Sequence, residues 1–416
     1  MPEAQGREIK SPNERLRVGC IGNGGMGQGD ARAAKRFGDI VATCDVDRTH
    51  AERLNTTIAD GKAVIYEDYR RLLDRKDIDI VTISTPDHWH TKMCVDALRA
   101  GKDVYCQKPL TLTIEEGKLL CKVVKETGRV LQVGTQQRSE YRNMFLTAVA
   151  MVREGRIGKI KRVTCAIGGA PAGGPFAKMP PPAHLNWEMW LGQAPKVDYI
   201  PQRCHGTFRW WYEYSGGKLT DWGAHHVDIA QWAIGMEDAG PTTIEVLKGE
   251  HPQPLKKGNP TRDDCYNTAT KFNVRCVFPN GVEMFICDYA EGERFGNGIM
   301  FEGEKGKFFV NRERLTGAPV DELKEKPISE VTLMVLRKGK PLSSHMENFI
   351  QCVRDRSVPV SDVFSHHRAL TTCHLANIAL RLGRNLKWDP VTEQIIGDEE
   401  ANAMQGRKQR KGYRIR

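Results

Sequence analysis

The chain has 416 residues, of which 40% are hydrophobic and 27% charged, and a formal net charge of +10. One hydrophobic core rarely serves that length, so two domains are expected, with the composition of an ordinary soluble protein. No apolar run approaches the ~18 residues a membrane span requires, and the polar start, 1–14, has no apolar stretch resembling a secretory signal. A cytoplasmic protein with no membrane partner is expected.

The first predicted element is a strand over 16–21. It runs into Gly22-Asn23-Gly24-Gly25-Met26-Gly27, with a helix predicted over 28–37. In such a turn the first glycine lets the chain leave a buried strand sharply. The second lets a pyrophosphate reach the backbone, and the third lets the helix pack on the sheet. The helix N-terminus then offers free N–H groups to phosphates. A second strand, 40–44, ends in Asp45, a carboxylate placed to grip ribose hydroxyls. Val46 and Asp47 follow it with no arginine between, which favours NAD over NADP.

Strand and helix go on alternating: helix 48–59, strand 63–66, helix 68–73, strand 78–84, helix to Gly101, strand 103–106, helix 114–127 and strand 130–134. Six strands with intervening helices predict a doubly wound parallel sheet, the α/β arrangement of a Rossmann domain, over 15–136. Ligands bind such sheets outside the carboxyl ends of the strands. Ser84-Thr85-Pro86 and Gln107-Lys108-Pro109 sit at two of those ends.

From 137 to 390 the pattern changes to an α/β domain with a large, mostly antiparallel open sheet. A helix is expected over 141–154 and a strand over 159–167. The Gly- and Pro-rich stretch 168–183 is too long for a simple loop and reads as a lid or an arm. Phe272, Val274, Cys276 and Phe278 alternate with more polar neighbours, and Pro279-Asn280-Gly281 marks a hairpin, as does Gly303-Glu304-Lys305-Gly306. Helices are expected over 344–354 and 366–382. The final stretch, 391–416, is a basic tail: Arg407, Lys408, Arg410, Lys411, Arg414 and Arg416 follow the last acid, Glu400. With only Tyr413 as an aromatic it lacks the features of a nucleic-acid stripe. It is expected to pack on a neighbouring subunit or stay solvated. The 12 cysteines include no C-x-x-C pair and lie mostly in apolar runs, which argues against disulfides and against a zinc site.

Two groups of residues suit chemistry. Lys108 follows a buried strand at the mouth of the nucleotide site and can hydrogen-bond a substrate hydroxyl. In Gly216-Gly217-Lys218-Leu219-Thr220-Asp221-Trp222-Gly223-Ala224-His225-His226-Val227-Asp228, a helix capped by Thr220 would put Asp221 and His225 on one face. A carboxylate beside an imidazole orients it as a general base. His226 points elsewhere, and Asp228 is a second partner or a structural acid. Adjacent histidines on a helix diverge, so no metal is expected there. The aromatics around Trp187 and Trp190, and those around Arg209, Trp210 and Trp211, suit either the face of a sugar or a core. His366, His367 and His374 read as packing residues.

The glycine turn, Asp45, Thr85-Pro86-Asp87-His88-Trp89-His90, Ala100 to Leu110 and Asp221 to His225 occur in the order of the Gfo/Idh/MocA family, which the chain resembles over nearly its whole length. That resemblance implies NAD binding by the glycine turn with Asp45, Ser84, Thr85, Pro86, His90, Gln107 and Lys108. It implies Lys108 and His225 as the catalytic pair supported by Asp221, and a carbohydrate or cyclitol substrate touching Lys108, Arg209, Trp210, Asp221 and His225. A homodimer or homotetramer built on the open sheet is also implied. Two reactions are compatible, dehydrogenation of a secondary alcohol and glycoside cleavage through transient oxidation, and a third reading is a non-catalytic binding protein that kept the fold. The family usually has glutamate where this chain has Gln107, which removes a negative charge beside Lys108.

Overall fold

The computed structural model describes residues 15–416; the polar extension read over 1–14 lies outside them. The first sheet has strands β1 (Leu16–Ile21), β2 (Gly38–Cys44), β3 (Val64–Tyr66), β4 (Ile80–Ile83), β5 (Asp103–Gln107) and β6 (Leu131–Gly134), in the order β3-β2-β1-β4-β5-β6 and all parallel. Its helices are α1 (Gly25–Lys35), α2 (Arg48–Thr57), α3 (Tyr69–Leu73), α4 (Asp87–Arg99) and α5 (Ile114–Thr127). This is the Rossmann arrangement, with a topological switch between β1 and β4. The central strands are buried on both faces, which is why they read as continuous apolar runs. Asp47, Asp68 and Thr113 cap α2, α3 and α5 by accepting backbone N–H bonds. The first helix begins at Gly25 rather than at Gln28, so the glycine turn is itself the helix start.

The chain then makes α6 (Met144–Arg153), β7 (Ile160–Ala166), α7 (Trp187–Leu191), α8 (Lys218–Asp221), α9 (Gly223–Ala233), β8 (Thr243–Glu250), a small ribbon β9 (Leu255–Lys256) and β10 (Asn259–Pro260), and β11 (Lys271–Val277). After these come β12 (Glu283–Cys287), β13 (Gly298–Gly303), β14 (Gly306–Val310), β15 (Leu315–Thr316), α10 (Ala318–Asp321), α11 (Glu330–Leu336), α12 (His345–Asp355), α13 (Val363–Leu382), β16 (Leu386–Asp389), β17 (Gln394–Ile395) and α14 (Glu399–Ala403). Nine strands form one sheet, β15-β14-β13-β7-β12-β11-β8-β16-β17, antiparallel except where β7 meets β12. One face packs on α6, α9 and α13 in the main core. The other carries charged pairs such as Arg275 with Glu245 and Glu283, and Arg162 with Glu302. Both expected hairpins form. At the first, Val282 donates to Asn280 Oδ1 and Phe278 donates to the Val282 carbonyl.

Chain order and packing diverge at α12, whose Met346, Phe349, Ile350 and Val353 share a core with Leu16, Val18, Ala31, Ala34 and Tyr105 beneath the first sheet. The basic tail corrects its expectation too. Arg407 pairs with Glu116 at 2.9 Å, Arg410 with Glu188 at 2.8 Å, and the Tyr413 ring meets Trp89 edge-on. The Arg407 and Arg410 guanidinium groups find carboxylates within their own chain, so the tail is folded onto it, while Lys408, Lys411, Arg414 and Arg416 are exposed. Asp228 is the structural acid, held bidentately by Arg138 with both side chains buried. Among the described residues all twelve cysteines are free thiols, and no helix is long and apolar enough to cross a membrane.

Candidate active site

A cavity of about 1040 Å³ opens between the two sheets, running from Asp45 at one end to Lys108 and His225 at the other. Gly22 has φ +80°, and a Cβ there would lie 2.6 Å from the Ser84 carbonyl carbon; one on Gly27 would lie 1.9 Å from the Gly22 oxygen. Strand, turn and helix therefore touch as only glycine permits. At Gly25 a Cβ would meet nothing within 4 Å, and at Gly24 only the His50 ring, so the backbone is open exactly where a phosphate would lie. The N-terminus of α1 has no side-chain cap. Asp45 accepts N–H bonds from Asn23 at 2.7 Å and Asp47 at 2.9 Å, which aims its carboxylate along the cavity wall. These features fit a dinucleotide: the α1 turn for the pyrophosphate, Asp45 for a ribose, and Ser84, Thr85 and Pro86 along the wall beyond.

At the other end Lys108 Nζ donates to Asp221 Oδ1 at 2.5 Å and to the Asp221 carbonyl at 3.0 Å, and Arg209 Nε donates to the same Oδ1 at 3.2 Å. Burial would raise the Asp221 carboxyl, but the charges of Lys108 and then Arg209 outweigh it and hold the group at about 2. Asp221 is thus engaged by two cations and not by His225. The reason is local. The chain does not form one helix capped by Thr220. It forms the four-residue α8, begun by Gly217, and then α9, and Thr220 Oγ accepts from Gly216 instead. The buried His225 ring lies on the cavity wall, and its Nδ1 has no hydrogen-bond partner. Burial, followed by the Lys108 and Arg312 charges, holds it well below the usual imidazole range, so the ring is neutral.

Other expected residues are placed differently. His90 is buried behind the wall, with its ring nitrogens against the Thr85 and Pro109 carbonyls. The Asn23 side chain points inward to the Cys20 and Cys44 carbonyls. Trp210 is off the cavity wall, and Trp187, Trp190 and Trp211 belong mainly to an aromatic core with Tyr214 and Tyr199, although Trp190 also borders the cavity. Gln107 Nε2 donates to both oxygens of Asp30 at 2.9 Å, and Ser84 Oγ donates to the same carboxylate.

Several residues on or near the wall were not singled out as site residues from the sequence. Asp87 accepts from Ser215, and burial raises its carboxyl to about 7 against the Arg209 charge. Arg312 stacks its guanidinium 4.5 Å from the Trp222 ring centre and 4.7 Å from that of Tyr141, and its Nε has no partner. Near Asp45 the fold gathers Asp47, His50, His184 and His205.

Comparison with known proteins agrees with this architecture. Residues 16–135 match a family model described as the NAD-binding Rossmann fold of an oxidoreductase family, and residues 174–415 match the C-terminal alpha/beta domain of the same family. The scyllo-inositol 2-dehydrogenase (NAD(+)) of Bacillus subtilis is 25% identical over 296 residues, covering 71% of this chain and 73% of that protein. The glycosyl hydrolase family 109 protein 1 of Shewanella sp. strain MR-4 is 32% identical over 156 residues, 35% of this chain and 34% of that protein. Among solved structures, the WlbA dehydrogenase of Bordetella pertussis, in complex with NADH and UDP-GlcNAcA, shares the fold with a TM-score of 0.62 at 18% identity, covering 90% of this chain and 99% of that one. With one family's two models matching the two sheets in turn, and one of them alone taking in more than half of the chain, the protein belongs to the Gfo/Idh/MocA family of nicotinamide-dependent oxidoreductases.

Proposed function

We propose that the protein oxidises a secondary alcohol of a sugar, glycoside or cyclitol with NAD as hydride acceptor. The observation that carries this reading is the convergence of Lys108 and the unpartnered, neutral His225 on the far end of a cavity whose near end fits a dinucleotide. Bound nicotinamide supplies the hydride-accepting carbon. His225 takes the hydroxyl proton. An ammonium has three donors, and two of those on Lys108 go to Asp221, which leaves one for the reacting oxygen. In this reading Asp221 holds Lys108 and Arg209 in place rather than orienting His225. Arg312 and Arg209 supply further donors for substrate oxygens.

NAD is preferred to NADP because the Asp45 carboxylate would repel a 2′-phosphate. The open face of the nine-stranded sheet is assigned to self-association as a dimer or tetramer. Identity with the Shewanella glycosidase relative supports a second reading, glycoside cleavage through transient oxidation. The test is a panel of free sugars, cyclitols and aryl glycosides with NAD, following NADH and sugar products together, with Lys108→Ala alongside. NADH formed in step with a keto product, and lost by at least about 100-fold in the variant, supports the dehydrogenase. Aglycone released without net NADH would favour the glycosidase, and no turnover with bound NAD would overturn both.

A further inference from the structure

Asp47 lies at the end of the cavity remote from Lys108, 2% exposed, in the loop between β2 and α2. One carboxylate oxygen, Oδ1, caps α2 by accepting the Thr49 backbone N–H at 3.0 Å, and it also takes the Thr49 hydroxyl. The other, Oδ2, faces three imidazoles: His205 Nε2 at 3.4 Å, His184 Nε2 at 3.7 Å and His50 Nε2 at 4.0 Å. A ligand atom from each of Asp47, His50 and His205 lies within 4.8 Å of the others. Ligands on a tetrahedral ion with bonds of 2.0–2.1 Å stand roughly 3.3 Å apart, so the group needs to contract by only a few tenths of an ångström to about 1.5 Å.

Three further features suit an ion. His50 presents Nε2 to the group while its Nδ1 faces Asp45 Oδ2 at 3.6 Å, which places a carboxylate behind the ring as beside many metal-binding histidines. His205 is held at φ +49°, a conformation a non-glycine residue adopts only when its surroundings enforce it. His184 is placed by backbone pairing: Arg48 N–H donates to the His184 carbonyl at 2.9 Å, and Asn186 N–H donates to the Val46 carbonyl at 2.9 Å. Among the described residues neither Asp45 nor Asp47 has an ion pair with lysine or arginine, so histidines are their sole ion-pair partners. His184 and His205 are about half exposed, which leaves an entry path.

We propose that Asp47, His50 and His205 bind a divalent first-row transition ion, zinc by their ligand set, with His184, which stands outside that close group but 3.7 Å from Asp47 Oδ2, turning in as the fourth ligand. Two ligands come from the first domain and two from segments of the second, so the ion ties the ends of the 168–184 arm and the 205–210 turn to the Rossmann domain. It does so beside Asp45, at the end of the cavity remote from Lys108. No chemical step passes through it; its role is to hold the cavity closed there.

The test uses the full chain freed of metal by a chelator, without cofactor. Zinc is titrated calorimetrically, and cobalt is followed by the visible bands of tetrahedral coordination. Wild type is compared with His205→Asn, because asparagine tolerates the same backbone conformation, and with Asp47→Asn, which keeps the α2 cap. We expect one ion per chain, tetrahedral cobalt bands and a metal-dependent rise in unfolding temperature, with each variant weakening binding by at least about 10-fold. Zinc uptake that is unchanged in both variants, or cobalt that stays octahedral, would overturn the assignment. So would an unfolding temperature indifferent to metal in a wild type that still binds NAD, which would leave the histidines as simple partners of Asp47.

Discussion

Gln107→Glu restores the residue usual in the family, and here it should destabilise the protein in proportion to pH. Gln107 already sits 2.9 Å from both oxygens of Asp30, a carboxyl that burial pushes up to about 6 against its bonds from Ser84 and Gln107. Two carboxylates at that separation repel by about 6 kcal/mol at an effective dielectric constant of about 20, equivalent to about 4 pH units. The variant pair would therefore keep one proton throughout the neutral range. A glutamate in the unfolded chain loses its proton above about pH 4.3, so the folded variant holds one proton more than the unfolded chain above that pH. Wild-type Asp30 also keeps its proton up to about pH 6, so relative to wild type the penalty changes little below about pH 6 and grows by about 1.4 kcal/mol per pH unit above it. At pH 8 it reaches about 2.7 kcal/mol, less about 1 kcal/mol for the hydrogen bond inside the pair. Denaturant unfolding of variant and wild type, followed by a probe on the first domain between pH 5 and 8, measures the slope. Asp30→Asn combined with Gln107→Glu leaves one carboxylate and should recover most of the loss. A penalty equal at every pH, or no recovery in the double variant, would refute a shared proton.

Asp228→Ala leaves Arg138 charged and without its carboxylate partner in a site where both side chains are at most 2% exposed. It should cost about 3–5 kcal/mol, read as a fall in unfolding midpoint. Asp45→Ala removes the carboxylate assigned to the ribose, and should raise the Kd for NADH about 10- to 100-fold in a fluorescence titration while narrowing the preference for NAD over NADP.

The Rossmann half was legible because its signals are local. A buried strand, a glycine turn and a second strand ending in Asp45 lie within 30 residues, and the close approaches at Gly22 and Gly27 are what those glycines serve. Lys108 and His225 were singled out through order along the chain, and both line one cavity. What failed did so where the partner is remote in sequence. Asp221 and His225 would share a face of one helix, yet Gly217 starts a separate short turn and the carboxylate meets Lys108 and Arg209. His90 stands in a segment of which Thr85, Pro86, Asp87 and Trp89 line the cavity, but its own ring is turned to the Thr85 and Pro109 carbonyls. The Asp30–Gln107 contact spans 77 residues, and no periodicity announces it. The tail read as a free basic segment because Glu116 and Glu188, the acids it pairs with, lie far upstream.

The two ends of the cavity share a construction principle. At the chemical end Lys108 of the first domain is held by Asp221 of the second, and Asp221 is ionised at about 2 only because Lys108 and Arg209 face it. At the ribose end Asp47 of the first domain faces His184 and His205 of the second. Each end has a carboxylate with a partner across the cleft, Lys108 for Asp221 and His184 and His205 for Asp47, so opening the cleft would remove that partner at both. Any closure of the cleft would then be coupled to this charge pairing. The same geometry that would align an alcohol between Lys108 and His225 also resists solvent entry, and a substitution at either carboxylate should loosen both cofactor and substrate.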